Sequence, residues 1–233
     1  MEARTFTELL FVTTTLAAMW MALQAARRQL ALATLVLAGW AALQAMIACS
    51  GFYAGPVSDP PRFLLAIAPP FLLLVFLVFS PGGRTWLRSL DASTLVLLHA
   101  VRIPVEIVLH RLYLEGSIPQ VMTWEGRNID ILTGISALFL FVWMRRADAP
   151  PRNLLLAWNI LGLALVLSVL IHGALSAPSS FQRFSAQDGS FALLHAPFVW
   201  LPGLIVPLMV LAHTASLVQL LGGLAAQSAS SRP

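Results

Sequence analysis

Residues 93–116 read STLVLLHAVRIPVEIVLHRLYLEG, an apolar segment that is long enough to cross a bilayer. Within it, four ionisable residues are spaced by three, four and four positions: His99, Arg102, Glu106 and His110. At about 100° per residue these four fall within an arc of about 80° on one face of a helix. Protein must cover such a stripe inside a membrane, and ionisable residues at that depth mark functional sites. The segment therefore predicts a helical membrane protein with a buried polar site.

The composition of the whole chain supports the same class. Of its 233 residues, 58% are hydrophobic and only 10% are charged, whereas a soluble domain has about 25% charged residues. We therefore predict an all-α, polytopic integral membrane protein that has the lipid bilayer as its partner. Cys49 is the single cysteine, which excludes an intrachain disulfide and a thiolate metal cage. The basic residues are all arginine and form no basic cluster with interleaved aromatics, so no nucleic-acid partner is expected.

The apolar runs predict a single transmembrane domain, residues 1–233, that forms a bundle of about seven helices. The predicted spans are about 6–26, 30–51, 63–80, 88–114, 128–146, 153–175 and 196–222. The third span contains Pro69 and Pro70 and is expected to be kinked there. The segments 115–127 and 176–195 are the longer connections, and both carry residues capable of chemistry.

The distribution of arginines predicts the orientation, because cytoplasmic segments are enriched in positive charge. With the N-terminus outside, the inner segments would contain Arg27, Arg28, Arg84, Arg88, Arg145, Arg146, Arg152 and Arg232. The outer segments would contain the smaller set Arg4, Arg62, Arg111, Arg127 and Arg183. The prediction is an N-out, C-in, multi-pass protein of the cell membrane, which is the inner membrane if the source is a bacterium.

In this orientation the stripe leads from the middle of the membrane to the outer face. Polar residues from three separate segments are predicted to lie there: His110, Glu115, Glu125, Asp130, His172 and His195, with Asn128 close to Asp130 in sequence. The sequence thus predicts a His/Arg/Glu site that opens to the periplasmic or extracellular side.

The residue types at this predicted site suggest three roles. Acid–base chemistry would use Glu106, His110 and Glu125. Ligand binding or proton relay would use His99, Arg102, Glu115, Asn128 and Asp130. A divalent metal such as zinc, iron or manganese would be held by His110, His172 and His195, with carboxylates completing the site.

Several of these residues also have a purely structural explanation. Arg102 and Glu106 are at positions i and i+4 and would pair on one helix. Asn128 is a suitable N-cap for the fifth span, and Asp130 would complement its dipole. Pro104 would leave one backbone carbonyl of the fourth span without its donor.

The sequence also bears on two organic cofactors, haem and retinal. His213 and Asn159 are expected to hydrogen-bond across the last two spans. Haem held between His99 and His213 is the less favoured alternative, since their depths differ by several ångströms and no attachment motif is present. Retinal is excluded, because its Schiff base needs a lysine and the chain has none.

Three functions remain open at this point. The first, which we favour, is a site for a metal ion or small ligand, and a membrane-embedded enzyme is included in this class. The second is a proton- or ion-coupled carrier that uses the stripe as its relay. The third is a non-catalytic accessory subunit in which the polar residues only fix the packing of helices. The sequence does not name a protein partner.

Overall fold

The computed structural model describes residues 2–146 and 150–230, and the regular elements in these ranges are helices, without a β-strand. The helices are α1 (Glu2–Ala25), α2 (Leu30–Cys49), α3 (Leu64–Phe79), α4 (Pro81–Ser89), α5 (Ala92–Leu98), α6 (Arg102–Leu114), α7 (Ile131–Met144), α8 (Arg152–Ser176) and α9 (Val206–Ser230).

Five stretches in the described part of the chain are long and apolar enough to cross a membrane. They are Arg4–Ala25, Arg27–Cys49, Ala92–Leu114, Arg152–Ser176 and Leu201–Gly222. The pair α3 and α4 would make a sixth if it is one broken span, and α7 is apolar but shorter. The all-helical, membrane-compatible fold is thus confirmed, while the number of seven spans and the orientation stay predictions.

A sharp break lies at Ser80, where α4 turns by 96° from α3. The hydroxyl of Ser80 accepts a hydrogen bond from the backbone N–H of Gly83 at 3.1 Å, and Pro81 occupies the first turn. The predicted start of the fourth span at residue 88 is therefore wrong. The separate helix α4 ends at Ser89, and α5 begins directly after Asp91. The carboxylate of Asp91 caps α5 by accepting a hydrogen bond from the backbone N–H of Thr94 at 2.8 Å.

The fourth predicted span is itself composed of two helices. A 3₁₀ turn, His99–Val101, joins α5 to α6. Because α6 begins at Arg102, Pro104 lies in its first turn, where a missing N–H is tolerated. The proline therefore follows a tightened 3₁₀ turn within a stretch that stays helical from Ala92 to Leu114.

The last span begins at Leu201, later than the predicted residue 196, with a π-helical segment, Leu201–Ile205. In a regular helix the carbonyl of Gly203 would accept from the N–H of residue 207, but that residue is a proline and has none. The indole Nε1 of Trp40 donates to this carbonyl at 2.7 Å instead. An aromatic side chain of α2 thus replaces the backbone bond that Pro207 removes.

Burial differs strongly among the spans and indicates where a site can form. In the most apolar window of each, 61% of the Leu201–Gly222 stretch and 56% of the Ala92–Leu114 stretch are buried, against 11% of Arg27–Cys49. The centre of the bundle is therefore α5, α6 and the first half of α9. Polar side chains on these elements are covered by neighbouring helices.

Candidate functional site

Polar side chains from four parts of the chain meet in the centre of the bundle. Each is at most 5% exposed, and they are His99, Arg102, Glu106, Asn128, Asp130, Asn159 and His213. We call this set the buried polar cluster. It includes three of the four stripe residues and joins them to the start of α7, to α8 and to α9.

Arg102 holds the cluster together. Its Nη1 forms an ion pair with Oδ1 of Asp130. Its Nη2 lies 3.0 Å from Nε2 of His213, and Nη1 also donates to the carbonyl of Gly162 at 3.4 Å. The structure therefore does not give the expected Arg102–Glu106 pair, because Asp130 reaches the guanidinium from the next helix.

The hydrogen bonds of His213 determine which of its nitrogens carries the proton. Arg102 can only donate, so Nε2 of His213 accepts. Nδ1 then carries the hydrogen and donates to Oδ1 of Asn159 at 3.0 Å. The amide nitrogen of Asn159 in turn donates to the carbonyl of Leu155 at 2.8 Å. The predicted bond between His213 and Asn159 is present, and His213 is a neutral ring fixed in one tautomer.

Glu106 is held by an amide and not by a cation. The Nδ2 atom of Asn128 donates to Oε1 of Glu106 at 2.6 Å and to the carbonyl of Met122 at 3.0 Å. The Oδ1 atom of Asn128 accepts from the backbone N–H of Asp130 at 3.0 Å. The predicted N-cap role is wrong by two positions, since α7 begins at Ile131. Oε2 of Glu106 has no hydrogen-bond partner among the described residues.

His99 is fully buried and lies against two other rings. Its ring stacks on that of His213 with centroids 3.9 Å apart, and the ring of Trp158 lies 5.3 Å from both. Neither ring nitrogen of His99 has a hydrogen-bond partner within the part of the chain that the structure describes. Direct stacking leaves no space for a haem between His99 and His213.

Two glycines make room for the buried polar cluster. A Cβ at Gly162 would lie 2.5 Å from Cε1 of His213, and a Cβ at Gly134 would lie 3.2 Å from Cβ of Arg102. The sequence analysis did not include either glycine. The available signal was their spacing, since Gly162 follows Asn159 by three residues and Gly134 follows Asp130 by four, which places each pair on one helical face.

The end of the stripe at His110 forms a second, more exposed group. The ring of His110 stacks on Trp124 with centroids 4.4 Å apart, and its Nε2 lies 3.7 Å from Oε1 of Glu125. The side chains of His110 and Glu125 are 20% and 44% exposed. His110 is one helical turn from Glu106, so this group connects the buried polar cluster to the surface.

The remaining predicted site residues lie apart. Glu115 accepts from the hydroxyl of Thr7 at 3.3 Å, and Nδ1 of His172 lies 2.7 Å from the carbonyl of Ser168 on its own helix. His195 is exposed. Within residues 2–146 and 150–230, no group of three or more His, Cys, Asp or Glu side chains is arranged to hold a metal ion. The predicted ligands His110, His172 and His195 are therefore not brought together.

A small cavity borders the buried polar cluster. It is lined by Arg127, Asn128, Ser168, His172 and apolar neighbours, and its volume is about 10 Å³. This is the space of about one water molecule. It is far smaller than the ~300–1,000 Å³ of an organic-ligand site.

The fold and the site define a class of helical protein with membrane-length apolar helices and a centrally buried ionic cluster. The chain belongs to the family described as a domain of unknown function (DUF8737), whose model matches residues 60–221. The matched segment contains all seven residues of the buried polar cluster and leaves α1 and α2 outside. Comparison with curated proteins gives no match, and neither does comparison with solved structures.

Proposed function

We propose that this protein is a multi-pass membrane protein that acts as a proton-coupled carrier, with Glu106 as the group that takes up and releases the proton. The observation that carries the proposal is the state of this side chain. It is 1% exposed, one oxygen is bound by Asn128, and Oε2 is unpartnered within the described chain. Buried carboxyl groups of this kind form proton relays in membrane transport proteins.

The charges of the buried polar cluster single out Glu106. Arg102 and Asp130 offset each other as an ion pair, and His213 is neutral by its hydrogen bonds. Protonating Asp130 would break the pair and leave the arginine charge uncompensated, which is costly in a buried site. Glu106 can change its protonation state while this pair stays intact.

The stripe supplies a route between Glu106 and the surface. His110 follows Glu106 by one turn, a rise of about 6 Å. Its ring nitrogen faces Glu125, which is half exposed. Asn128, which bonds to Glu106, also borders the cavity of about 10 Å³, which is large enough for one water molecule. These groups favour proton exchange over the binding of a larger ligand.

Substitution of Glu106 by glutamine tests the proposal. The amide keeps the shape and can still bond to Asn128, but it cannot carry a titratable proton. We expect proteoliposomes with the variant to lose at least 90% of the pH-driven proton flux that a lumenal dye reports for the native chain. The infrared difference spectrum of the purified variant should also lack one titrating buried carboxyl band.

The matched control is Glu8→Gln, because Glu8 forms an exposed i,i+4 pair with Arg4 at 3.4 Å, outside the cluster. This variant should keep the flux and the infrared band. Native flux together with a native carboxyl band in Glu106→Gln would contradict the proposal.

The main competing function is that of an accessory subunit in which the cluster only holds helices together. The ion pair and the His213–Asn159 bond join α6, α7, α8 and α9 and favour this explanation. The two functions differ in the native protein, because a purely structural cluster would show neither proton flux nor a titrating carboxyl band. The favoured sequence hypothesis of a metal or organic-ligand site is supported by neither the arrangement of its proposed ligands nor the small cavity.

We further propose seven crossings with the N-terminus outside and the C-terminus inside. In this topology α3 and α7 cross as shorter helices, and α4 lies along the inner surface with Arg84 and Arg88 exposed. The excess of arginines at that surface supports this direction. Arg232, one of the predicted inner arginines, lies outside the described residues.

The single cysteine tests this orientation. Cys49 is exposed at the end of α2, which is the outer end in the proposed topology. We expect a membrane-impermeant maleimide to label the native chain in intact cells. A Cys49→Ser chain that carries Thr85→Cys on α4, where Thr85 is exposed, should react only after the cells are opened. The reverse pattern would overturn the orientation.

A further inference from the structure

A long apolar groove lies on another side of the bundle, away from the buried polar cluster. It is lined mainly by α2, by α3 and by the segment Gly203–Leu211. Its volume is about 740 Å³, which is in the range of ~300–1,000 Å³ for small-molecule sites. None of the seven residues of the buried polar cluster lines it.

The groove runs beside the first half of α2, which is packed less tightly against the bundle than the second half. Trp40 donates to the carbonyl of Gly203 at 2.7 Å, and Nε1 of Trp200 donates to the carbonyl of Ala41 at 2.8 Å. The buried residues of α2 all follow this point: Ala41, Gln44 and Ala48. The first half of α2 packs more loosely, because Ala33 and Leu37 are only partly buried against the core, and a space remains beside it.

The dimensions of this space match one leaflet of a bilayer. The lining of α2 extends from Gln29 to Trp40 and slightly beyond. Eleven steps of 1.5 Å give about 17 Å, which is close to half of the ~30 Å hydrocarbon core. In the proposed membrane topology, on which this inference rests, the bond between Trp40 and Gly203 lies about one leaflet from Gln29, so a chain that enters at Gln29 would meet this bond there.

Positive charge lies at the opposite end of the groove. Arg27 and Arg28 stand between two lining residues, Ala26 and Gln29, and both arginines are exposed. A basic mouth on an apolar groove complements an anionic headgroup on a hydrocarbon chain.

We propose that this groove binds one acyl chain of an anionic phospholipid, with the lipid phosphate group at Arg27 and Arg28. The apolar walls exclude water from the chain, and Trp40 limits how deep it enters. Each arginine near the lipid phosphates contributes about fivefold in binding, so the two together favour an anionic lipid by about 25-fold.

Native mass spectrometry of the delipidated full chain tests the headgroup preference. Phosphatidylglycerol and phosphatidylcholine with identical acyl chains are added separately, and one retained phosphatidylglycerol is expected at about 25-fold higher affinity. Arg27→Gln combined with Arg28→Gln should remove this preference. The control pair, Arg145→Gln with Arg146→Gln, removes the same charge from exposed positions outside the groove and should keep it.

A second substitution tests the groove itself. Gly39 lines it, and a Cβ at this position would meet no atom within 4 Å, so Gly39→Leu fits the helix and fills the groove. We expect retention of both lipids to fall at least tenfold. Ala42→Leu, at an exposed position that does not line the groove, is the control. Equal retention of the two lipids by the native chain, equal effects of the two arginine pairs, or native retention by Gly39→Leu would each overturn the proposal.

Discussion

Substitution of Arg102 by glutamine should lower the free energy of unfolding by about 3–5 kcal/mol, which is the cost of leaving one partner of a buried ion pair uncompensated. The guanidinium is buried, pairs with Asp130 and donates to His213. Glutamine cannot supply the charge or reach both partners. Unfolding of the purified protein in mixed micelles, followed by circular dichroism, measures the change.

Two further variants test whether the loss of stability comes from the ion pair. Arg102→Gln combined with Asp130→Asn removes both charges and should recover part of the stability. Arg4→Gln breaks an exposed pair with Glu8 and should cost no more than about 1 kcal/mol. An Arg102→Gln protein as stable as the Arg4→Gln protein would show that the buried pair does not hold the helices together.

Substitution of Gly162 by alanine should cost about 2–4 kcal/mol although it adds only one methyl group. The new Cβ would lie 2.5 Å from Cε1 and 2.6 Å from Nε2 of His213. This ring is bonded on one side to Arg102 and on the other to Asn159, so it cannot move without losing one of these bonds. The expected cost combines overpacking with the loss of a hydrogen bond to a charged group.

Gly82→Ala is the matched control for this substitution. A Cβ at Gly82 would meet no atom within 4 Å, and alanine favours a helix over glycine by up to about 1 kcal/mol. The control should therefore be neutral or slightly stabilising in the same unfolding measurement. If Gly162→Ala behaves like Gly82→Ala, the contact between Gly162 and His213 is not tight.

The contrast between Glu106 and Asp130 shows how far sequence patterns could predict the site. The spacing of His99, Arg102 and Glu106 predicted three ionisable residues on one covered face, and all three side chains are buried. The same spacing also suggested that Arg102 pairs with Glu106, four residues away. It could not show that Asp130 is available to Arg102 from another helix, because helical periodicity describes neighbours within one element only.

The polar residues that were predicted to lie at the outer face also show what sequence patterns cannot predict. Predicted depth brought His110, Glu125, His172 and His195 to one end of the bundle, and the structure does join His110 to Glu125. Depth alone says nothing about rotation around the helix axis. His172 bonds to a carbonyl of its own helix, and the predicted metal ligands remain separate.

The sequence by itself determined that this protein is suited to a lipid environment and that its segments have helical periodicity. Its apolar runs require helices, since backbone groups in lipid must be bonded within their own segment, and its ionisable stripe requires a covered face. Only the tertiary structure decided which partners cover the stripe. Arg102 contacts Asp130 and His213, and Glu106 accepts a hydrogen bond from Asn128. These contacts depend on how helices distant in sequence are rotated and packed against each other.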